Sequence, residues 1–331
     1  MPCGNAVVRV RLVWTMVIMA AAASAKRTTP SKWNAHHDTV AIMNLLDEKR
    51  NIRKRTNRPW ISLCFAQSLD GKLAMYVSRN NNDNHISNNE RNDDVADDDS
   101  TDSTDNHTDT SKSTTTTTTT TTTYAPTTTS NLAISGESSL TLTHALRSAH
   151  DGILVGGRTL SVDNPRLSNR LWCSNSHQPR PIVLDPLLRH VAKLGRNRRA
   201  QNMIVCHSKH VPIPSRFVDD ECHDDVVFVP CQTLDADGSL DLTDVLEQLY
   251  HDHGIQTLMV EGGPKVLSAF LQARLVDFVC LTISSSVFGS GLGITLSHPC
   301  TLAGKPDNDD SVHLFKFDND ICVVAFPCFL E

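Results

Sequence analysis

The residues most suited to binding or catalysis follow a short apolar run at residues 153–155. Gly156, Gly157, Thr159, Asp163 and Arg170 stand close together here, and a strand that merely leaves a sheet does not require such a cluster. Each residue also has an ordinary structural role. An aspartate before Asn-Pro makes a common turn, a threonine can be a satisfied hydroxyl at a strand end, and loop arginines are usually solvated. Taken singly, these residues therefore do not define a site.

A second candidate is LMVEGGPKVLS at residues 258–268. An apolar strand stops at Glu261, two glycines form a turn, and Pro264 suits the first position of a helix. Unpaired N–H groups at a helix start carry partial positive charge, and this arrangement suits a phosphate. The same pattern also makes a plain tight connection, and it lacks the full G-x-G-x-x-G of an ordinary Rossmann site. Both interpretations stay open from the residues alone.

Strands and helices that alternate along the chain must position these residues. The predicted strands are residues 59–66, 152–156, 181–185, 203–206, 226–229, 256–260, 277–284 and 321–326. The predicted helices are one capped by Ser138, one at residues 244–254 with Leu246 and Leu249 inward, and one that begins at Pro264. The pattern predicts a mostly parallel sheet covered on both faces, with ligands at the carboxyl ends of its strands.

Composition limits how much of the 331-residue chain can fold. Residues 79–130 are rich in Asn, Asp and Thr, with ten consecutive threonines at 114–123, and they cannot offset the entropy of ordering. We predict a disordered insertion in one domain, and its acids contribute strongly to the net charge of −6. No basic stripe suggests nucleic-acid binding. The ten cysteines lack zinc-like spacing, so we expect reduced structural cysteines and no metal.

The amino terminus has the features of a targeting segment. Residues 12–25 form a hydrophobic run that ends in A-S-A, follows two arginines, and is short for a membrane span. The next residues are basic and rich in hydroxyls, as in an organelle transit segment. We expect a signal or targeting segment at 1–25 and a linker or transit segment at 26–57. A bipartite leader into a plastid is the interpretation, with a cytoplasmic location as the alternative and no membrane contact in the mature form.

Four ordered blocks resemble the riboflavin-biosynthesis reductase family. They are RPWISLCFAQSLDGKLA (58–74), ISGESSLTLTHALRSAHDGILVGGRTLSVDNPRL (134–167), RPIVLD (180–185), and MVEGGPKVLSAFLQARLVD (259–277) followed by FGSG (288–291). The family includes the reductase half of the bacterial bifunctional deaminase-reductase and the free-standing fungal and archaeal reductases. The resemblance implies a reductase domain at 58–331, an α/β, dihydrofolate-reductase-like three-layer fold with a mostly parallel central sheet, a homodimer, and NADPH as cofactor.

The blocks are most similar to the free-standing branch, because the H-x-E and P-C-x-x-C motifs of a zinc deaminase are missing from the sequence. The resemblance then implies reduction of the ribosyl side chain of 2,5-diamino-6-ribosylamino-4(3H)-pyrimidinone 5′-phosphate to the ribityl form. The alternative is reduction of the deaminated substrate, 5-amino-6-(5-phosphoribosylamino)uracil. An alternative of another class is a non-catalytic nucleotide-binding module on the same fold.

The resemblance also assigns residues to the two ligands. It places Asp163 against the cofactor. Because Asp163 is also the nearest acid in the motif, it is the candidate that protonates the imine, with water as the alternative. The remaining residues expected on the cofactor are Ala66, Thr159, Gly262, Gly263, Pro264, Lys265 and Val266. Those expected on the substrate are Ser138, Arg147, Leu167, Arg170 and Glu261. Two arginines suit a sugar phosphate, because a guanidinium can grip two oxygens at once. We also expect Arg158 to meet the 2′-phosphate of NADPH.

Overall fold

The computed structural model describes residues 34–53, 56–77, 127–128, 134–172, 177–193, 201–217, 226–234, 238–300 and 312–327. The predicted targeting segment at 1–25 and almost all of the predicted insertion lie outside these residues. The chain divides into two compact units, residues 1–75 with 128–331 and residues 76–127. Only residues 76, 77 and 127 of the second unit are described, and the site lies in the first.

The central element is a sheet whose described part has nine strands. In chain order the described strands are β1 Trp60–Gln67, β2 Ala74–Val77, β3 Thr127–Thr128, β4 Gly152–Gly156, β5 Arg180–Leu184, β6 Met203–Ser208, β7 Val226–Cys231, β8 Thr257–Gly262, β9 Phe278–Ile283, β10 Gly291–Leu292, β11 His313–Phe317 and β12 Asp320–Ala325. The sheet order is β11-β12-β9-β1-β8-β4-β5-β6-β7. Neighbouring strands from β9 to β7 in this order are parallel. At the other end of the sheet, β12 runs antiparallel to β9, and β11 runs antiparallel to β12. Outside this sheet, β10 pairs with β2.

Five described helices flank the strands: α1 Ala35–Ile52, α2 Glu137–Ser148, α3 Gly157–Asp163, α4 Leu242–His251 and α5 Pro264–Gln272. Short 3-10 turns lie at Val191–Lys193 and Ser215–Phe217. The side chain of Asn34 caps α1, and that of Asp241 caps α4. Both accept hydrogen bonds from N–H groups of the first turn, which have no partner inside the helix. Among the described residues, no helix is long and apolar enough to cross a membrane.

Each face of the sheet carries its own hydrophobic core. Leu142 and Leu146 of α2 pack with Ile153 and Val155 of β4 on one face. Leu154 of β4 belongs to the opposite core, which contains the buried side chains of α4 and α5. Successive strand residues point to opposite faces, so one apolar run serves both cores. The predicted three-layer α/β domain with a mostly parallel sheet is confirmed.

The structure corrects the boundary expected at the amino-terminal side. We assigned residues 26–57 to a linker or transit segment, but α1 is part of the domain. Its Ile42 and Leu46 are fully buried in the core that α2 also lines. Four residues separate Ile42 from Leu46, so both lie on one side of the helix and bury a single apolar stripe. Arg50 adds a hydrogen bond from its guanidinium to the carbonyl of Ala149, at 2.8 Å.

Candidate active site

A pocket of about 210 Å³ opens where the carboxyl-terminal halves of three neighbouring strands meet α2. Ala66 of β1, Glu261 of β8 and Thr282 of β9 line its sheet side, and Leu140 and Thr143 line its helix side. The other lining residues are Cys64, Phe65, Ser135, Leu142, Leu146 and Cys280. Because parallel strands present their carboxyl ends at one edge, this is the edge where ligands bind in such folds.

Glu261 lines the pocket and lies at an irregularity in the sheet. Leu154 of β4 pairs with Val260, whereas the next residue, Val155, pairs with Gly262. Glu261 is therefore the extra residue of a bulge, and bulges re-aim side chains near functional sites. The following residue, Gly262, has a φ of +122°, where a side chain would be strained. The sequence indicated the strand end and the glycines but not the bulge.

Arg147, in the last turn of α2, grips Glu261 with two donors. Its Nε lies 2.6 Å from one carboxylate oxygen and one terminal nitrogen lies 2.8 Å from the other. The remaining terminal nitrogen donates to the carbonyl of Ser168, at 3.1 Å. The side chains are only 12% and 14% exposed, so the pair is largely removed from water. Arg147 thus bridges the strand that carries Glu261 and the loop that carries Arg170.

This pairing stabilises the charged form of the arginine. Burial alone would lower the pKa of Arg147, because a charged group is less well solvated inside a protein. The carboxylate of Glu261 and its hydrogen bonds oppose that effect and raise the pKa above its ordinary value. The arginine stays charged. Its hold on Glu261 leaves less of the guanidinium for a phosphate than we expected, whereas Arg170 is exposed.

The two glycine turns singled out in the sequence lie against each other. The N–H of Gly263 donates to the hydroxyl of Thr159, at 3.2 Å. A Cβ on Gly263 would come within 2.9 Å of that hydroxyl, and a Cβ on Gly156 within 3.1 Å of a methyl of Val266. The glycines therefore permit close approach between the β4–α3 turn and the start of α5. Both expected cofactor segments come together at this point.

The start of α5 keeps the features of an anion site. Pro264 is its first residue, and the N–H groups of the first helical turn have no partner within the helix. Those of Lys265 and Val266 belong to this turn, and the helix dipole adds partial positive charge. Lys265 is exposed, whereas Gly262 is buried. The geometry thus suits a phosphate that approaches from the solvent side.

Arg170 lies in a loop that α2 holds in place. The backbone N–H of Arg170 donates to Nδ1 of His144, at 2.9 Å, and its guanidinium donates to the hydroxyl of Ser168, at 3.3 Å. Arg170 is exposed, whereas His144 is fully buried. The loop, the buried ion pair and the Gly262–Gly263 turn thus form one continuous region at the edge of the sheet.

The start of α2 is built differently from the prediction. Ser138 does not cap the helix; the cap position is Gly136, which has no side chain. Instead, Asp320 of β12 accepts hydrogen bonds from the N–H of Gly136, at 2.8 Å, and from the hydroxyl of Ser139, at 2.7 Å. A carboxylate at a helix start also complements the helix dipole. Ser138 is half-buried beside the pocket-lining Ser135 and Leu140.

The remaining predicted residues divide between exposed and buried positions. Leu167 has a φ of +50° and a side chain buried in the core, so the side chain does not line the pocket as expected. Asp163 ends α3 next to Asn164, which adopts a left-handed conformation. Asp163 is exposed, and partial removal of its carboxyl from water raises its pKa above the ordinary value. Arg158 is exposed on α3.

Sequence reasoning missed two side chains that shape the site. His144 holds the Arg170 loop, and Asp320 holds the start of α2. His144 could have been found from its spacing, because it stands three residues before Arg147 and so lies near it on the same helix. Asp320 had no comparable signal, since it contacts a segment far away in the chain.

The fold and the site together define an α/β domain with a ligand cleft at the carboxyl edge of a mostly parallel sheet. The chain belongs to the RibD C-terminal domain family, whose model matches residues 59–323. Two similar relatives are named 2,5-diamino-6-ribosylamino-4(3H)-pyrimidinone 5′-phosphate reductase. The one from Eremothecium gossypii is 33% identical over 173 residues, covering 50% of this chain and 68% of the relative. The one from Methanothermobacter thermautotrophicus is 30% identical over 164 residues, covering 49% and 72%.

Solved structures of this family share the fold. The riboflavin biosynthesis reductase Rib7 of Saccharomyces cerevisiae superposes with a TM-score of 0.57 at 21% identity, over 88% of this chain and 100% of that chain. Acinetobacter baumannii RibD gives a TM-score of 0.51 at 16% identity, over 82% and 59%. At these identities the likeness concerns the fold alone. It agrees with the architecture that the sequence resemblance implied.

Proposed function

We propose that this protein is an NADPH-dependent reductase of riboflavin biosynthesis that acts on 2,5-diamino-6-ribosylamino-4(3H)-pyrimidinone 5′-phosphate. The observation that carries the proposal is the contact set of Arg147. One guanidinium bonds to Glu261, which directly precedes the Gly262–Gly263 turn, and to Ser168 in the Arg170 loop. The segments expected to bind the two ligands are therefore joined through Arg147, and this proximity supports a transfer between two bound molecules.

The residues at the Gly262–Gly263 turn fit a phosphorylated cofactor. The turn has no side chains to obstruct a ligand, and it leads into the amino terminus of α5. When bound, NADPH supplies the hydride that reduces C1′ of the opened ribosylamine. Lys265 and the backbone N–H groups beside it would hold its phosphates. The hydroxyl of Thr159, which accepts the N–H of Gly263, would hold the turn in place. Arg158, exposed on α3, would meet the 2′-phosphate and favour NADPH over NADH.

The pocket volume suggests how the substrate is divided. About 210 Å³ is below the usual size of a site for a drug-sized ligand, so it suits a pyrimidine ring rather than the whole substrate. Glu261 lines the pocket and would accept hydrogen bonds from the amino groups of the ring or from sugar hydroxyls. The 5′-phosphate would remain nearer the solvent, where Arg170 is exposed.

The reduction also needs a proton. The sugar ring opens to an imine, its carbon receives the hydride, and its nitrogen must gain a proton to become the amine of the ribityl product. Asp163 is the candidate acid, because it ends α3 close to the turns expected to bind the cofactor, and the upward direction of its pKa shift favours the protonated form. The protein then needs no nucleophile: its residues bind, orient and protonate.

Activity is tested by supplying purified protein with NADPH and each of three compounds in parallel: the diamino pyrimidine phosphate, its deaminated form and dihydrofolate. We expect NADPH oxidation with the first compound and formation of the ribityl product. Preference for the deaminated compound would move the protein to the other branch of the pathway. Turnover of dihydrofolate alone would indicate a different reductase, and no turnover would favour a nucleotide-binding module.

A charge variant tests the phosphate contact. Arg170→Ala is expected to weaken binding of the pyrimidine phosphate by about 2–3 kcal/mol, the usual value of a charge-assisted hydrogen bond. Arg166→Ala is the matched control, because Arg166 is an exposed arginine in the same segment without a proposed role. Calorimetric titration measures both. Equal affinities of the two variants would remove Arg170 from the site.

The assembly and the location of the protein are separate proposals. We infer a homodimer from the family, with a small phosphorylated molecule as partner and no contact with nucleic acid or membrane in the mature form. Sedimentation of the purified protein tests the dimer. A fluorescent fusion of residues 1–33, which precede α1, tests the plastid leader, and a diffuse cytosolic signal would favour the cytoplasmic alternative.

A further inference from the structure

The loop that carries Arg170 is braced by its own side chains. Asn169 is 6% exposed, and its amide both accepts from the N–H of Trp172, at 3.1 Å, and donates to the carbonyl of the same residue, at 2.8 Å. Gln178 likewise pairs with both the N–H and the carbonyl of Asn169. Leu167 anchors the start of the loop in the core. Such a loop can present Arg170 in one fixed place.

Helix α2 fixes the same loop at two further points. Arg147 donates to the carbonyl of Ser168, at 3.1 Å, and Nδ1 of His144 accepts the N–H of Arg170, at 2.9 Å. The two helix residues stand three positions apart, so their side chains lie on the same part of the helix surface. The imidazole of His144 is completely buried, which makes its contact with Arg170 part of the protein interior.

The hydrogen bonding of the His144 imidazole defines its tautomer and its charge. Because Nδ1 accepts a hydrogen bond, the neutral ring carries its proton on Nε2. That Nε2 is buried and has no hydrogen-bond partner among the described residues. The hydrogen bond from Arg170 to Nδ1 is therefore the contact that orients the ring. Burial lowers the pKa of His144, and the nearby charges of Arg147 and Arg170 lower it further, to about 4, against smaller opposing effects of Glu261 and of the Asn169 side chain. The ring is thus a neutral acceptor at physiological pH.

We propose that His144 is a positioning residue for the substrate phosphate, which acts through Arg170. Its Nδ1 holds the Arg170 peptide, and thereby the guanidinium, where the phosphate binds. A buried histidine with one unsatisfied nitrogen costs stability. In the proposed role, this cost is offset by function, because the hydrogen bond from Arg170 to Nδ1 holds the arginine where the substrate phosphate binds. The proposal rests on the proposed function, because it takes the ligand of Arg170 to be the phosphate of the substrate.

Two substitutions of His144 separate its two nitrogens. His144→Asn places an amide group where Nδ1 lies and can keep the acceptor, whereas His144→Gln places its amide near the position of Nε2 and loses it. We expect His144→Gln to raise the KM for the pyrimidine phosphate by about tenfold, as expected for a lost buried hydrogen bond. His144→Asn should stay within about threefold of the wild type. Neither should change the KM for NADPH. Equal effects of the two variants, or an equal rise in both KM values, would overturn the proposal.

Ribose 5-phosphate separates this proposal from the activity itself. Titrations of wild type, His144→Asn and His144→Gln with ribose 5-phosphate, and with ribose as control, need no turnover. The expected order of affinity is wild type, then His144→Asn, then His144→Gln, with no difference for ribose. If the wild type fails to reduce the pyrimidine but shows this order, the proposed function fails and the positioning role stands. A wild type that does not bind ribose 5-phosphate would overturn the positioning role.

A measurement on the wild type covers the case in which His144→Gln does not fold. Nitrogen NMR of the imidazole should show an unprotonated Nδ1 and a protonated Nε2. Addition of ribose 5-phosphate should shift the Nδ1 resonance and the backbone N–H resonance of Arg170, and ribose should leave both in place. A protonated Nδ1, or resonances that do not respond to the phosphate, would contradict the role.

Discussion

The buried pair of Arg147 and Glu261 allows a quantitative test of how the site is built. Glu261→Gln removes the charge that offsets the guanidinium and leaves Arg147 largely buried without a counter-ion. Breaking one partner of a buried pair usually costs about 3–5 kcal/mol of stability. The pair here has two short hydrogen bonds, at 2.6 and 2.8 Å, and side chains only 12% and 14% exposed. We therefore expect a loss of stability in this range.

The same reasoning predicts a strong coupling between the two residues. Arg147→Met alone should also destabilise, because it leaves Glu261 buried without its partner. The double variant should lose at least about 2 kcal/mol less than the sum of the single variants, since neither uncompensated charge remains. Urea unfolding of the four proteins, followed by circular dichroism, measures the coupling. Both single variants should also raise the KM for the pyrimidine phosphate.

A second buried carboxylate serves as the control. Asp277 accepts two hydrogen bonds from Arg58, at 2.7 and 3.1 Å, and also pairs with Arg53, at 3.1 Å. Arg58 and Asp277 precede β1 and β9 at the opposite edge of the sheet. Asp277→Asn should destabilise the protein without changing either KM. Additive losses in the cycle of Arg147 and Glu261 would refute the assigned coupling. An equal rise in substrate KM for Asp277→Asn would show that the effect on activity follows from lost stability alone.

Three further predictions concern the cofactor turn, the proton donor and pH. Gly263→Ala places a Cβ within 2.9 Å of the hydroxyl of Thr159, so the KM for NADPH should rise about tenfold. Thr159→Val loses only the hydrogen bond from the N–H of Gly263, so its KM for NADPH should rise less. Asp163→Asn should lower kcat about ten- to a hundredfold in steady-state assays, and an unchanged kcat with a raised KM for NADPH would remove its acid role. The folded-state pKa of His144, about 4, lies below its unfolded value of 6.5. The contribution of neutral His144 to the free energy of unfolding is therefore present above pH 6.5. It is lost as pH falls towards 4, by up to about 3 kcal/mol. Urea unfolding at several pH values should show that His144→Asn loses less stability over this pH range than the wild type.

The layers of the fold could be predicted because the strands are buried on both faces. Runs such as residues 153–155 are apolar throughout, and such runs between helical segments are typical of a parallel sheet. The helix at residues 35–52 was missed because its apolar stripe is narrow and more than half of its residues are polar. Ile42 and Leu46 are completely buried in the structure. A stripe of this kind becomes visible only when the surface that it covers is known.

The capping of α2 shows a different limit of sequence reasoning. A serine near the start of a helix is a good local signal, and it led to Ser138 as the cap. The N–H of Gly136 is instead satisfied by Asp320, which lies 184 residues away in the chain. Local patterns describe how a helix start can be satisfied by its own neighbours. They carry no information about a carboxylate that only the folded sheet brings near.

The placement of Arg147 and Glu261 follows from packing once the two elements are in contact. Met259 of β8 lies in the core on the α2 face, and alternation places Glu261, two residues on, on that same face. Arg147 directly follows Leu146, which α2 buries in that core. Either charge alone at this interface would be an uncompensated buried charge, which proteins rarely tolerate. The bulge in β8 releases Glu261 from regular pairing with β4, so its carboxylate can meet the guanidinium. The ion pair is therefore a condition for packing this helix on this strand, and it leaves a carboxylate at the pocket where the substrate ring is proposed to bind.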